Sequence, residues 1–128
     1  MKTVILCGGM GTRIRGVADD LPKPMIPIGD YPILWHLMKG YAAAGHQDFI
    51  LCLGHKGHVI KEFFLNYRAF TGDLTLTLRR DTGIEYHSDH DESGWSVTLA
   101  DTGLDAFTGA RVKRVQKYLA DDENFFLT

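Results

Sequence analysis

Near its start the chain reads Gly8-Gly9-Met10-Gly11-Thr12-Arg13 and then, after a polar interval, Leu21-Pro22-Lys23-Pro24-Met25-Ile26-Pro27. Glycines at 8, 9 and 11 carry no Cβ, so the backbone can come close to a ligand and turn its N–H groups toward an anion. Arg13 adds a permanent planar charge that can grip phosphate oxygens through two parallel hydrogen bonds. Lys23 lies between two prolines, each of which fixes its own φ and restricts the residue before it. An ammonium presented so stiffly suits a catalytic point charge. Two familiar phosphate motifs do not fit. No Gly-Lys-Ser/Thr occurs, so there is no P-loop, and a dinucleotide fingerprint begun at Gly9 would need glycine where Ile14 stands. A glycine turn followed by a proline-rich surface loop has the same composition, so the surrounding elements must decide between the readings.

Those elements alternate. Thr3-Val4-Ile5-Leu6-Cys7 is a short apolar run rich in β-branched residues, and Phe49-Ile50-Leu51-Cys52-Leu53 is another. Strands apolar on both faces point to a buried parallel sheet. Between them Ile33, Leu34, Leu37, Met38, Tyr41 and Ala42 recur at helical spacing. Asp30 is expected to cap this helix, with Pro32 in its first turn and Gly45 just past its end. A second helix carries Val59, Ile60, Phe63, Phe64 and Tyr67 and ends before Gly72. Leu74–Leu78 alternates with period two. Ile84–His87 and Trp95–Ala100 are expected to form a ribbon through the polar loop between them. A third helix carries Val112, Val115 and Leu119, and Phe125–Thr128 is the next strand. The pattern predicts one α/β unit over residues 1–128, with a doubly wound, mostly parallel sheet and no internal domain boundary. In such units connections usually run about 2–6 residues. The stretch from Gly8 to Gly29 is much longer and leaves the carboxyl end of the first strand, the edge where open α/β sheets bind ligands.

Composition excludes several classes. Of 128 residues 45% are hydrophobic and 23% charged, ordinary for a globular protein rather than a disordered one. No apolar run approaches the roughly 20 residues that span a bilayer. The opening apolar run is too short for a signal peptide. With 14 basic and 16 acidic side chains the net charge is −2, so no electrostatic case exists for nucleic acid or membrane surfaces as partners. Cys7 and Cys52, both in apolar runs, are expected to be buried free thiols in a reducing compartment, which points to the cytoplasm.

The glycine-arginine run together with Pro22-Lys23-Pro24-Met25 resembles the signature of sugar-phosphate nucleotidyltransferases. The resemblance continues through Pro32-Ile33-Leu34-Trp35-His36 and Gly54-His55-Lys56-Gly57. It extends into Val97-Thr98-Leu99-Ala100-Asp101-Thr102-Gly103 and Thr108-Gly109-Ala110-Arg111-Val112-Lys113-Arg114-Val115. The last two segments are similar to the branch that transfers cytidylyl groups to glucose 1-phosphate. Cys7 stands where the family often has Ala, and His55 where it often has Tyr.

The resemblance implies a Rossmann-like fold that is incomplete at its C-terminus, and substrates that are a nucleoside triphosphate, CTP in this branch, and a sugar 1-phosphate. It also implies site residues. Leu6, Gly8, Gly9, Gly11 and Thr12, with Thr102, Gly103 and Arg111, border the nucleotide, while Arg13 and Lys23 carry the catalytic charges. The complete family members use Mg²⁺, held in part by an Asp of a Gly-Asp-Gly type segment. That segment is expected beyond Thr128, so no metal ligand is assigned within this chain. The complete protein is expected to be a homo-oligomer. Because the chain ends Phe125-Phe126-Leu127-Thr128 with no turn or polar tail, it is expected to be cut in mid-strand and to be inactive by itself. The alternatives are a different base or sugar specificity, or a non-catalytic regulatory module of the same fold. The retained Arg13 and Lys23 argue against a module.

Lesser signals are given structural readings. His55 and His58, and His87 and His90, have H-x-x-H spacing, but the second pair lies in a polar inter-strand loop and is read as such. Lys113, Arg114 and Lys117 are read as surface charges, and Trp35 and Trp95 as core or interface aromatics.

Overall fold

The computed structural model describes residues 1–8, 21–79, 83–87, 92–103, 108–119 and 125–128. In chain order the elements are β1 (Lys2–Leu6), a 3-10 turn (Lys23–Met25), the short strands β2 (Pro27–Ile28) and β3 (Tyr31–Pro32), and helix α1 (Ile33–Ala43). Then come β4 (Asp48–Leu53), α2 (Gly57–Leu65), α3 (Tyr67–Thr71), β5 (Leu74–Thr77), β6 (Gly83–Tyr86) and β7 (Ser96–Asp101). Helix α4 (Thr108–Arg114), a second 3-10 turn (Gln116–Tyr118) and β8 (Phe125–Leu127) complete the chain.

Among the described residues four strands form one parallel sheet in the order β7-β4-β1-β8. Partners in register point the same way, so the sheet has two apolar faces. Ile5, Leu51 and Phe49 face a cluster with Leu34 and Met38 of α1 and Ile60 of α2. Val4, Ile50, Cys52 and Ala100 face Val115 and Leu119 on the other side. Burial of each Val, Leu, Ile, Phe or Met side chain among these contributes about 1.5–3 kcal/mol, and burial on both faces accounts for the continuous apolar runs in β1 and β4. The chain winds outward from β1 to β4 to β7, then returns to place β8 on the opposite side of β1. The direction of winding therefore reverses beside β1, at the carboxyl end of which the glycine run begins. Among the described residues no helix is long and apolar enough to cross a membrane.

Four expectations are corrected. Asp30 does not cap α1. It lies with Gly29 (φ +67) in the two-residue turn joining β2 and β3, and Pro32 holds the N-cap position without a side-chain hydrogen bond. A positive φ is open to glycine at no steric cost, and that turn uses up the residue the cap would have needed. The second helix is not continuous to Tyr67. It breaks at Asn66 (φ −101) into α2 and α3. The ribbon is made by β5 with β6, in register Leu76 to Ile84, whereas the strand after Trp95 is β7, at the edge of the main sheet. The third helix ends at Arg114, and a 3-10 turn carries the chain toward Leu119. Gly45 does follow the end of α1, as expected.

Tyr67 joins a buried polar knot. The Trp35 indole N–H donates to the Tyr67 hydroxyl (2.8 Å) and to Glu92 (3.3 Å), and the Tyr67 hydroxyl donates to the same Glu92 oxygen. Lys39 lies 3.5 Å from the other carboxylate oxygen. Burial by itself raises the Glu92 carboxyl, but the Tyr67 hydrogen bond, the Lys39 charge and the Trp35 N–H together hold it below the ordinary carboxylate range. A lowered pKa means that its stabilisation is present above the unfolded value, near 4.5, and is lost as pH falls through the folded value. Glu92→Gln is therefore expected to cost about 1–2 kcal/mol at pH 7. The wild-type and variant urea midpoints should converge as the pH is lowered below 4.5. A constant gap across that range would show that the carboxylate charge contributes nothing.

Candidate functional site

Three strands of the main sheet end side by side, and their last residues run into Gly8 after β1, Gly54 after β4 and Thr102-Gly103 after β7. The Cys7 N–H donates to the Cys52 carbonyl (2.9 Å) and the Thr102 N–H to the Leu53 carbonyl (2.9 Å), so the strands stay paired to the point where the chains diverge. Gly54 stands at the centre. A Cβ there would lie 2.8 Å from the Gly8 carbonyl oxygen and 2.9 Å from that of Gly103, inside contact distance for backbone that cannot yield.

Arg111 reaches this point from α4. The residue is only 4% exposed. Nη2 donates to the Gly8 carbonyl (3.0 Å) and Nη1 to the Thr102 hydroxyl (2.9 Å), so one guanidinium bridges the ends of β1 and β7 across Gly54. The Thr102 hydroxyl in turn donates to the Leu53 carbonyl (2.9 Å). Arg114 is exposed, in keeping with its reading as a surface charge, and its Nη1 also donates to the Thr102 carbonyl. Arginines three apart on a helix share a face, and that spacing was the signal that could have paired them. Gly54 belongs to the Gly54-His55-Lys56-Gly57 segment that carries the resemblance, but that segment assigns it no role. Its role depends on how closely three chain ends converge, which sequence spacing does not record.

On the α1 side of β1 a cleft of about 410 Å³ is lined by Ile5, Leu6, Cys7, Lys23, Pro24, Leu34 and Thr128, among others. It lies between the carboxyl ends of β1 and β8, where the winding reverses and open α/β sheets take their ligands. Lys23 opens the 3-10 turn. The turn is closed by a hydrogen bond from the Met25 N–H to the Pro22 carbonyl (2.9 Å) and pinned by the buried Met25 side chain. The expected stiff presentation of this ammonium thus has a structural basis: two prolines and a core anchor.

The structure therefore gathers Gly8, Thr102, Gly103 and Arg111 at one point and sets Leu6 and Lys23 along the adjoining cleft. Gly9, Gly11, Thr12 and Arg13 lie outside the described residues. So does His90. Its expected companion His87 bonds Thr75 across the ribbon (2.7 Å). Among the described residues no group of three or more His, Cys, Asp or Glu side chains could hold a metal ion.

Cys7 and Cys52 are buried free thiols, as expected. Burial, then the neighbouring Cys52, push the Cys7 thiol up from 9.0 to about 12 against a smaller opposing pull from Arg111. The sign follows: above pH 9 the unfolded chain loses this proton while the native chain keeps it, so stability falls as pH rises. The slope is about 1.4 kcal/mol per unit. Cys7→Ala is expected to flatten that alkaline loss in urea midpoints taken between about pH 8.5 and 10.5. An unchanged slope would assign the loss to other groups.

The Nucleotidyl transferase family model matches residues 2–94. The chain is 49% identical over all 128 residues to a glucose-1-phosphate cytidylyltransferase of Salmonella typhimurium, of which it covers 49%. It is 46% identical over 128 residues to a probable glucose-1-phosphate cytidylyltransferase of Bacillus subtilis, again covering 49%. The chain thus spans about half the length of the curated relatives it matches. Among solved structures it is similar to HddC from Yersinia pseudotuberculosis complexed with GMP-PN. That likeness has a TM-score of 0.58 and 27% identity, over 91% of this chain and 42% of that one.

Proposed function

The chain belongs to the nucleotidyl transferase family, and on that premise we propose that it forms the nucleotide-gripping part of an enzyme that transfers a cytidylyl group from CTP to glucose 1-phosphate. The observation that carries this reading is the convergence of Gly8, Thr102, Gly103 and Arg111 at the carboxyl end of the sheet, beside the cleft that Lys23 lines. In the reaction an oxygen of the sugar phosphate attacks the α-phosphorus in line. A P–O bond forms, the bond to the β-phosphate oxygen breaks, and pyrophosphate departs with that electron pair. No covalent enzyme intermediate is required, so the protein acts by positioning and by neutralising charge.

In this proposal Gly8, Gly9, Gly11 and Thr12 cradle the nucleotide, and Leu6, Gly103 and Arg111 border it, with Thr102 buried behind Arg111. Arg13 holds the triphosphate tail and the departing pyrophosphate. Lys23 neutralises charge between the sugar phosphate and the α-phosphate. Mg²⁺ belongs to the proposal through the family resemblance, but the described residues do not form a site for it, so no step here depends on it. The cytoplasm and a homo-oligomeric state of the complete protein are part of the same proposal.

The choice of CTP rests on the 49% identity to the Salmonella cytidylyltransferase over the whole chain. A guanosine nucleotide is the second reading, favoured by the HddC likeness at 27% identity. Equilibrium binding of CTP, UTP, dTTP, ATP and GTP to the chain separates them, with CTP expected to bind tightest. Preference for another triphosphate would overturn the cytidine assignment, and binding of none of the five would overturn the nucleotide reading altogether.

A further inference from the structure

Resting on the reading that this end of the sheet takes a nucleoside triphosphate, we propose that Thr102 is a positioning residue whose buried hydroxyl sets the Arg111 guanidinium and acts on the nucleotide only through it. Thr102 is fully buried. Its one hydroxyl proton goes to the Leu53 carbonyl (2.9 Å), and the oxygen accepts from Arg111 Nη1 (2.9 Å). Its backbone N–H goes to the same Leu53 carbonyl (2.9 Å), and its carbonyl accepts from Arg114 Nη1. A hydroxyl has a single proton to donate, and that proton is committed inward. With no exposed atom, Thr102 has nothing left to offer a ligand directly.

What the hydroxyl does control is the angle of Arg111. The guanidinium is a rigid plane, held at Nη1 by Thr102 and at Nη2 by the Gly8 carbonyl (3.0 Å). Gly54 leaves the space it passes through, since a Cβ there would lie 2.8 Å from Nη1. Gly8 follows directly on β1, so the same plane holds the backbone of Gly8 at the end of that strand. Replacing the hydroxyl with a methyl group removes the acceptor facing Nη1 while keeping the shape of the side chain. A buried charged donor does not stay unpaired, so the guanidinium turns and its grip on Gly8 changes.

The test is a double-mutant cycle in this chain with CTP as the probe. Thr102→Val is expected to weaken CTP binding about tenfold, and Thr102→Ser to restore most of the loss. Added to Arg111→Lys, Thr102→Val should weaken binding no further, because residues acting as one unit are not additive. Unfolding of the same variants in urea, without nucleotide, should show the same coupling. Should Thr102→Val fail to fold, Thr102→Ala removes the hydroxyl without strain and carries the comparison. Wild-type affinity in Thr102→Val overturns the proposal while leaving the nucleotide reading intact. So does an equal loss whether Thr102→Val is made alone or on top of Arg111→Lys. A wild-type chain that binds none of the triphosphates overturns that reading instead. Additivity in urea then overturns the hold of Thr102 on Arg111 as well.

Discussion

Under the proposed function Lys23→Ala is expected to lower kcat/KM for nucleotidyl transfer by about 10²–10³-fold, the usual cost of removing one preorganised charge from a site where charge develops in the transition state. Stability should hardly change. The Lys23 side chain is exposed, and the 3-10 turn that carries it is closed by backbone and anchored by Met25 rather than by the ammonium. Surface truncations of this kind fall within about 0.5 kcal/mol. Lys23→Arg should recover only part of the activity, because a planar fork does not occupy the position of a compact ammonium. Steady-state kinetics and urea unfolding on the same preparations check both halves of the expectation. Near-normal turnover in Lys23→Ala would remove Lys23 from the chemistry, and a large loss of stability would reduce its effect to one of folding.

The opposite signature is expected at Arg111. Arg111→Met keeps much of the apolar stem and deletes the guanidinium, leaving the Gly8 carbonyl and the Thr102 hydroxyl oxygen without the donors they now have. Each buried group so abandoned costs about 1–3 kcal/mol. Stability should therefore fall by roughly 3 kcal/mol, seen as a lower urea midpoint at unchanged slope. CTP binding should be lost in the same variant under conditions where it remains folded. Arg111→Lys keeps a charge but cannot reach both acceptors with one rigid plane, so it should be intermediate. A midpoint within about 0.5 kcal/mol of wild type would mean that the bridge between β1 and β7 is energetically idle.

These two residues differ in how they could be read from the chain. Lys23 sits in a local pattern, a lysine between two prolines, and local geometry is sufficient to expect a stiff ammonium. Arg111 was singled out through family resemblance, but its bridging of Gly8 to Thr102 depends on residues 103 and 9 positions away along the chain. Arg114 shows the limit more sharply. Its spacing of three from Arg111 puts both on one face of α4, but only the packing of α4 against the sheet brings it to the Thr102 carbonyl.

By itself the sequence determined the elements whose burial is decided locally and symmetrically. The runs Val4–Cys7 and Phe49–Leu53 had to be covered on both faces, and the Leu34, Met38 spacing had to form one face of a helix. Cys7 and Cys52 had to be buried with them, because apolar area gains most from leaving water and the period of the pattern says which way it points. Tertiary structure alone decided which neighbour does the covering. Ser96–Ala100 alternates in a way that suits either a ribbon or the edge of a parallel sheet, and only pairing with β4 chose the edge. Asp30 suits a cap as well as a turn, and the hairpin of β2 with β3 claimed it. The convergence of Gly8, Gly54 and Thr102-Gly103 under one arginine likewise exists only once three strands lie side by side. Hydrophobic periodicity specifies a surface to be buried, whereas hydrogen-bond partners at strand ends are specified by distances across the fold.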